Sequence, residues 1–243
     1  MSGVQGKNVF VLDGTSLRLP QPNEQTHYIL KPIPADLPKA TEIPANEHLT
    51  MQIARQVYGV SSAANGLIFF VDEEPALLFK RFDFRSDGSK WRQEDFASLS
   101  GRTKQSAGPD YKYEGSYEEI AQLIKHHLSA YRVELEKFFR LVLFNDLFSN
   151  GDAHLKNFSI IETLDGDFVL SPAYNLICTR LHLTDSDMAL KDGLFSNDYE
   201  TDSYTANAFY AFVDFLIFGS RIGTAKKRVR QQLVIFQKDY EKV

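Results

Sequence analysis

The sequence of 243 residues contains a single cysteine, Cys178, which excludes an internal disulfide framework and any metal site built from several cysteines. It also lacks an excess of positive charge. The formal net charge is −5, which argues against direct binding to nucleic acid or to an anionic membrane. No apolar run is long enough to span a bilayer, since the longest candidate, residues 208–219, is short and contains Asp214. These absences predict a cytoplasmic protein in a reducing environment, with no membrane or nucleic acid as a direct partner.

The composition that remains is that of a globular protein, and its pattern divides the chain in two. Residues 1–85 favour strands around a single helix at residues 44–59, whose apolar positions Leu49, Ile53 and Val57 lie four apart. From about Gln93 the apolar period becomes helical. The segments predicted as helices are residues 116–128, 133–150, 205–218 and 226–240.

This order predicts an α+β fold with two lobes. Residues 1–85 would form a small β-rich lobe, and residues 86–243 a larger, mostly helical lobe. Two strand-like pieces hinged at residues 165–166 follow a polar loop near the junction. A protein kinase has this layout, although a layout alone does not fix a function.

The polar loop reads SNGDAHLKNFSI, residues 149–160, and follows a long apolar helix directly. Phosphoryl transfer needs a carboxylate for the attacking hydroxyl, a cation for the phosphoryl group and oxygen ligands for Mg²⁺. Asp152, Lys156 and Asn157 offer these three, and the five-residue spacing from Asp152 to Asn157 equals that of the protein-kinase catalytic loop. Asp and Asn are also common turn residues, so the loop alone leaves a structural interpretation open.

Six segments, in order, extend the pattern over most of the chain: THYILKP, NEHL, KRFDFR, QEDFASLSG, GDAHLKNFSI and LSPAYNLICTRLH. Together they resemble the HipA-like serine/threonine kinases, the toxin kinases of bacterial toxin–antitoxin modules. The resemblance implies ATP and Mg²⁺ as cofactors. It also implies that Asp152 is the catalytic aspartate, that Asn157 binds the metal, and that His154 and Lys156 lie near the phosphates.

The resemblance assigns the nucleotide site as well. Lys31 matches the strand lysine that contacts the ATP phosphates, and Glu47 matches the helix glutamate that holds this lysine in place. Residues 78–84 resemble the segment that connects the lobes and binds the adenine edge through its backbone. Lys80 and Phe82 match positions that contact ATP, although Phe82 is equally compatible with an ordinary core aromatic.

The chain departs from the family pattern at two places. Asn175 stands where the family has a metal-binding aspartate; Asn keeps an oxygen ligand but loses the charge, so we expect Asn157 and Asn175 to hold Mg²⁺ more weakly. Gly3, Gln5 and Lys7 match only the end of the family's phosphate-binding loop, whose first serine is absent. We expect the family's preceding N-terminal subdomain to reside on a separate small polypeptide or to be missing from a truncated chain.

Two functions are therefore predicted. The first is an ATP- and Mg²⁺-dependent serine/threonine protein kinase that transfers the γ-phosphoryl group to a protein hydroxyl. The resemblance implies an aminoacyl-tRNA synthetase as substrate and an antitoxin as partner. The second is a weakened nucleotide-binding pseudokinase that acts through an antitoxin or another partner. Asp152, Lys156 and Asn157 favour the first function, while Asn175 and the shortened loop favour the second.

Overall fold

The computed structural model describes residues 6–85 and 87–240. Its N-terminal lobe is an antiparallel sheet of five strands in the order β2-β1-β3-β5-β4, with one long helix packed against β4 and β5. The elements of this lobe are β1 (Asn8–Asp13), β2 (Ser16–Arg18), β3 (Tyr28–Lys31), α1 (Ile43–Gln56), β4 (Asn65–Phe69) and β5 (Pro75–Lys80). The strands and the single helix predicted for residues 1–85 are present, and β4 and β5 pair as an antiparallel hairpin.

Helix α1 is present where it was predicted. Pro44 lies in its first turn, where a missing N–H costs nothing. The helix buries Glu47, Met51 and Ala54, and Ile53 packs against the core, whereas Leu49 is 59% exposed. The buried face thus carries a carboxylate that has a partner inside the protein.

The C-terminal lobe contains seven helices and a three-stranded antiparallel sheet of order β6-β7-β8 among the described residues. Its elements are β6 (Gln93–Asp95), α2 (Phe96–Leu99), α3 (Lys104–Ala107), α4 (Tyr117–His127), α5 (Tyr131–Leu147), β7 (Ser159–Glu162), β8 (Phe168–Leu170), α6 (Asp202–Asn207), α7 (Phe212–Arg221) and α8 (Lys226–Tyr240). Strands β7 and β8 are the two pieces predicted after the polar loop, and their turn at Gly166 has a positive φ of 81°.

Helix α5 lies at the centre of the core, as its nearly continuous apolar sequence predicted. Phe138, Phe139 and Phe144 are fully buried on it. The core continues into the N-terminal lobe, since Tyr58 after α1 places its ring 5.5 Å from that of Phe144 and 4.6 Å from that of Phe236 in α8. The two lobes therefore share one hydrophobic core behind the cleft. A lobe boundary near residue 85 stays a prediction.

The helix predicted over residues 205–218 is wrong, because the chain forms two helices there. Helix α6 ends at Asn207, and the next residue, Ala208, adopts a left-handed φ of 58°. The first turn of helix α7 contains Asp214, which is fully buried and accepts hydrogen bonds from the Ala211 amide at 2.6 Å and from the hydroxyls of Thr201 and Ser203. The buried carboxylate thus fixes a new helix start inside an apolar run. None of the helices in the described part of the chain combines the length and apolarity that a membrane crossing requires.

Candidate functional site

A cleft of about 570 Å³ lies between the two lobes, large enough for a small-molecule ligand. The described residues that line it include six cationic side chains and one carboxylate, that of Asp83. The cations are Lys7, Lys31, Lys80, Arg81, Lys112 and Lys156. Positive charge is therefore concentrated in the cleft although the chain as a whole is acidic, and such a site attracts anions.

A buried ion pair joins the sheet to helix α1 at the back of the cleft. Lys31, the last residue of β3, places its Nζ 2.6 Å from Oε1 of Glu47, and both side chains are almost completely buried. The same Nζ donates a second hydrogen bond, of 2.7 Å, to Oδ1 of Asn175 in the C-terminal lobe. These bonds use two of the three donors of the ammonium group and aim it into the cleft. The predicted partnership of Lys31 and Glu47 has the geometry that the resemblance implied.

Helix α1 is also tied to the segment that follows Asn175. Asn46 donates to the backbone carbonyl of Cys178 at 2.9 Å and accepts from its amide at 3.2 Å. Since Asn46 precedes Glu47, these bonds hold the glutamate close to the C-terminal lobe. A kinase requires this inward position of the helix for its lysine–glutamate pair.

Asp152 lies in the turn after α5, and its carboxylate is buried. The hydroxyl of Tyr113 donates a 2.8 Å hydrogen bond to its Oδ1. Burial acts to raise the pKa of the Asp152 carboxyl, but His154 and the Tyr113 hydrogen bond oppose it, and the pKa lies below its ordinary value. The carboxylate is thus ionised at neutral pH and already receives a hydroxyl donor, which is the property expected of the predicted catalytic residue.

Three polar groups form a continuous hydrogen-bonded chain beside Asp152. Nδ2 of Asn175 donates to Oδ1 of Asn157 at 2.8 Å, and Nδ2 of Asn157 donates to the backbone carbonyl of Asp152 at 2.5 Å. The other end of the chain is the bond from Lys31 to Asn175. The structure therefore brings together the two residues predicted as metal ligands, but their side chains bind each other.

This arrangement does not fit the Mg²⁺ that the resemblance implies. A hard cation needs oxygen ligands on both sides, and Asn175 presents an amide N–H to Asn157 instead of an oxygen. No cluster of three or more His, Cys, Asp or Glu side chains with metal-binding geometry occurs among the residues described. The predicted roles of Asn157 and Asn175 as Mg²⁺ ligands stay predictions with which this geometry disagrees.

His154 and Lys156, the other loop residues predicted near the phosphates, both line the cleft. Burial lowers the pKa of His154 to about 4, so its imidazole is neutral at neutral pH. Nζ of Lys156 donates a hydrogen bond to Oδ2 of Asp95 at 2.5 Å. Burial acts to lower the pKa of Lys156, but this bond raises it above its ordinary value. Asp95 also caps helix α2 through the Ser98 amide. Lys156 is therefore a charged, positioned cation, while His154 contributes no charge.

The predicted adenine segment forms one wall of the cleft. The amides of Lys80 and Arg81 donate to the carbonyls of Ala64 and His27 at 2.8 Å, so strand pairing uses them. Phe82 lines the cleft, packs against the core and lies 6.0 Å from the ring of Tyr174. Phe82 is thus both a cleft residue and a partner of the core.

Of the three residues predicted in the phosphate-binding loop, the described part of the chain includes only Lys7. Lys7 lines the cleft, and partial desolvation together with the charge of Lys31 lowers its pKa. It therefore lies near the cationic end of the site. Gly3 and Gln5 lie outside the described residues.

Sequence reasoning missed three residues of the site. Tyr113 carried no signal beyond its place before a helix cap. Asn150 looked like a turn residue, yet its Nδ2 donates to Oδ1 of Asn145 at 2.9 Å and to the carbonyl of Asn175 at 3.2 Å. Tyr174 donates to the carbonyl of Lys156 at 2.9 Å, and burial raises its pKa to about 12. Asn150 lay inside the polar loop and Tyr174 inside the last of the six segments, whereas Tyr113 lay in neither.

The fold and this cleft define a two-lobed protein of the kinase type. Residues 1–238 match the family model described as the HipA-like C-terminal domain. The chain belongs to the HipA-like C-terminal domain family, as the sequence motifs predicted.

Curated relatives and solved structures agree with this assignment. A Haemophilus influenzae protein named "Putative kinase" is 30% identical over 87% of this chain and 64% of its own length. A second relative, "Putative kinase Y4dM" of Sinorhizobium fredii, is 33% identical over 78% of this chain and 47% of its own length. The chain thus spans about half to two thirds of the length of these relatives.

Two solved structures share the fold. HipA of Shewanella oneidensis, in a complex with HipB and operator DNA, matches 98% of this chain and 57% of its own with a TM-score of 0.74 at 21% identity. The Helicobacter pylori proinflammatory kinase CtkA matches 93% of this chain and 84% of its own with a TM-score of 0.57 at 15% identity. The predicted two-lobed, kinase-like α+β fold is confirmed.

Proposed function

We propose that this chain is an ATP-dependent serine/threonine protein kinase of the HipA type. The observation that carries the proposal is the hydrogen bond from the Tyr113 hydroxyl to the ionised, buried carboxylate of Asp152. The site thus already binds a hydroxyl group in the way that a kinase binds the hydroxyl of its substrate. The cationic cleft, which His154, Lys156 and Asn157 of the same loop line, would bind the nucleotide phosphates.

Each step of the transfer can be assigned to residues of this chain. The substrate hydroxyl takes the place of Tyr113 at Asp152, which orients it and accepts its proton. Its oxygen forms a bond to the γ-phosphorus while the bond from that phosphorus to the β-bridging oxygen breaks, and ADP leaves. Lys31, held by Glu47, and Lys156, held by Asp95, neutralise the charge of the phosphates. The backbone near Phe82 would bind the adenine edge.

Substrate and partners are proposed from the family alone. We propose a protein hydroxyl as acceptor, with an aminoacyl-tRNA synthetase as the first candidate to test, and a cytoplasmic location, where ATP is available. HipA of Shewanella oneidensis is bound to HipB and operator DNA. By analogy we propose an antitoxin, or a separate protein that carries the family's N-terminal subdomain, as partner. The negative net charge argues against direct DNA binding by this chain.

A transfer assay tests the proposal. Wild-type protein, Asp152→Asn and Asn175→Asp are incubated with γ-labelled ATP and a lysate of the source cells, with and without Mg²⁺. We expect labelled protein bands with the wild type and a loss of about a hundredfold or more with Asp152→Asn, the usual range for a residue of general acid–base catalysis. Equal labelling by the wild type and Asp152→Asn would overturn the catalytic assignment.

A second candidate is a nucleotide-binding pseudokinase that acts through a partner. The hydrogen bond between Asn175 and Asn157 favours it, because it occupies the place where the family is expected to bind Mg²⁺. In the same assay, label with Asn175→Asp but not with the wild type would select this candidate. Label with the wild type would reject it.

A further inference from the structure

The hydrogen-bonded chain from Lys31 to Asp152 has a fixed polarity. The ammonium of Lys31 can only donate, so the atom of Asn175 that faces it at 2.7 Å is Oδ1. At the other end, the Asp152 carbonyl can only accept, so Nδ2 of Asn157 faces it at 2.5 Å. The two ends therefore force Nδ2 of Asn175 to meet Oδ1 of Asn157, and the assignment of both amides follows from the chemistry of their neighbours.

A carboxylate at position 175 would place two hydrogen-bond acceptors opposite each other in the middle of this hydrogen-bonded chain. Its second oxygen would face Oδ1 of Asn157 across about 2.8 Å, and neither atom could donate. Such a pair of acceptors is stabilised by a cation or a proton between them and otherwise has to move apart. An aspartate at this place thus favours a bound metal ion, whereas the amide of Asn175 satisfies Asn157 directly.

Lysine side chains around the cleft carry positive charge that a metal ion would otherwise supply. Lys7, Lys31 and Lys112 all line the cleft. Desolvation lowers the pKa of Lys7, the charges of Lys31 and Lys112 lower it further, and those of Glu47 and Asp152 oppose them. A cluster of ammonium groups that repel one another is relieved by a bound polyanion. The lysines can therefore neutralise phosphate charge where a divalent cation otherwise would.

We propose that this cleft binds the phosphates of a nucleoside triphosphate without a divalent cation, with the side-chain amide of Asn175 in the place of the bridging ion and the lysine cluster as counter-charge. The proposal rests on the nucleotide binding that both candidate functions share. It names Asn175 as the residue that decides whether the site requires a metal.

The first test measures ATP binding by calorimetry, in excess EDTA and in excess Mg²⁺, for the wild type and for Asn175→Asp. The wild type should bind metal-free ATP at least as tightly as the Mg²⁺ complex, because metal-free ATP carries more negative charge. Asn175→Asp should reverse the order and bind about tenfold more weakly in EDTA than in Mg²⁺, a change of about 1.4 kcal/mol. A wild type that needs Mg²⁺ for tight binding would overturn the proposal.

Asn197→Asp provides a matched control. Asn197 is exposed and has a φ of 62°, close to the 57° of Asn175, so the substitution adds the same charge on the same backbone conformation away from the cleft. This variant should bind ATP with the same affinity as the wild type, both in EDTA and in Mg²⁺. If Asn197→Asp also bound ATP more weakly in EDTA than in Mg²⁺, the effect would come from net charge, and the role proposed for Asn175 would be overturned.

A second readout works without nucleotide and separates this proposal from the proposed function. Thermal unfolding is followed with EDTA, Mg²⁺ or Mn²⁺ alone. Asn175→Asp should unfold at a lower temperature than the wild type in EDTA and regain stability with Mn²⁺, while the wild type and Asn197→Asp should not respond to the ion. If no variant binds ATP, the proposed function fails, yet this readout still decides the role of Asn175. A wild type stabilised by the ion as much as Asn175→Asp would contradict the proposal.

Discussion

The hydroxyl of Tyr113 lies 2.8 Å from Oδ1 of Asp152 and donates a hydrogen bond to it. Tyr113 belongs to a short segment between α3 and α4, and its neighbours Tyr111 and Lys112 line the cleft. The tyrosine therefore occupies one acceptor site of the carboxylate. We expect the substrate hydroxyl to bind the same oxygen atom, so that Tyr113 competes with the substrate.

Tyr113→Phe removes this competition and should increase the rate of phosphoryl transfer. A hydrogen bond to an ionised carboxylate is worth about 1.5–3 kcal/mol net, which corresponds to about a tenfold change or more. The same substitution removes one of the interactions that lower the pKa of Asp152, so the acidic limb of the pH–rate profile should move to higher pH. Transfer rates measured from acid to neutral pH check both effects.

Tyr111→Phe is the matched control, since it removes a tyrosine hydroxyl from the same cleft. It should leave the acidic limb in place. If Tyr113→Phe abolished transfer, the tyrosine would be required for catalysis and would not be a competitor of the substrate.

The buried pair of Lys31 and Glu47 should matter for stability as well as for binding. Glu47→Gln leaves the Lys31 ammonium in the protein interior without its counter-charge, which typically costs about 3–5 kcal/mol. Denaturant unfolding should therefore show a large loss for Glu47→Gln. The double variant Lys31→Met with Glu47→Leu should recover much of it, because no buried charge remains.

Glu114→Gln serves as the comparison for this prediction, because Glu114 pairs with Lys191 on the surface. An exposed pair of this kind contributes about 0–1 kcal/mol. A loss of equal size for Glu47→Gln and Glu114→Gln would mean that the buried pair is not held as the structure indicates.

Stability should depend on pH through two groups that act in opposite directions. Burial lowers the pKa of His154 from 6.5 to about 4. As the pH falls from 6.5 to about 4, the imidazole takes up a proton in the unfolded chain before it does so in the folded one, and the folded state loses stability. At its full extent this amounts to about 3 kcal/mol. Burial raises the pKa of Asp146 from 3.8 to about 7, so its contribution is present at acid pH and is lost as the pH rises towards 7.

Single variants separate these two effects. Between about pH 7 and pH 4, His154→Gln should become more stable relative to the wild type, and Asp146→Asn should become less stable relative to it. Denaturant unfolding at both ends of this range measures the two differences. A difference that does not change with pH for His154→Gln would show that the imidazole is not buried in its neutral form.

Much of the site was predictable because its residues lie in short, ordered motifs. Lys31, Glu47, Asp152, Asn157 and Asn175 come from four segments of the sequence, and the structure brings them together. Side chains with one dominant chemical role can be recognised from their residue type and spacing. The contacts that they make with one another cannot, since hydrogen bonds across the cleft depend on how the two lobes pack.

The features that the sequence did not predict have one physical cause. The apolar spacing of α1 includes Leu49, which is exposed, while Glu47 is turned inward, where it pairs with Lys31. The run after residue 205 looked like one helix, but the buried carboxylate of Asp214 caps a second one. Tyr113 was missed because a tyrosine before a helix cap has no local pattern that separates a structural role from a catalytic one. In each case a buried polar interaction overrode the local pattern.

ATP binding by the cleft is the central claim, because both candidate functions depend on it. Calorimetric titration of ATP into the wild type, Lys31→Met and Lys227→Met tests it most directly. Lys227 is exposed on α8 in the other lobe and controls for the lost charge. We expect the wild type and Lys227→Met to bind ATP equally, and Lys31→Met to bind at least about tenfold more weakly, a loss of about 1.4 kcal/mol. Equal affinity for all three proteins, or no binding by the wild type, would contradict the account.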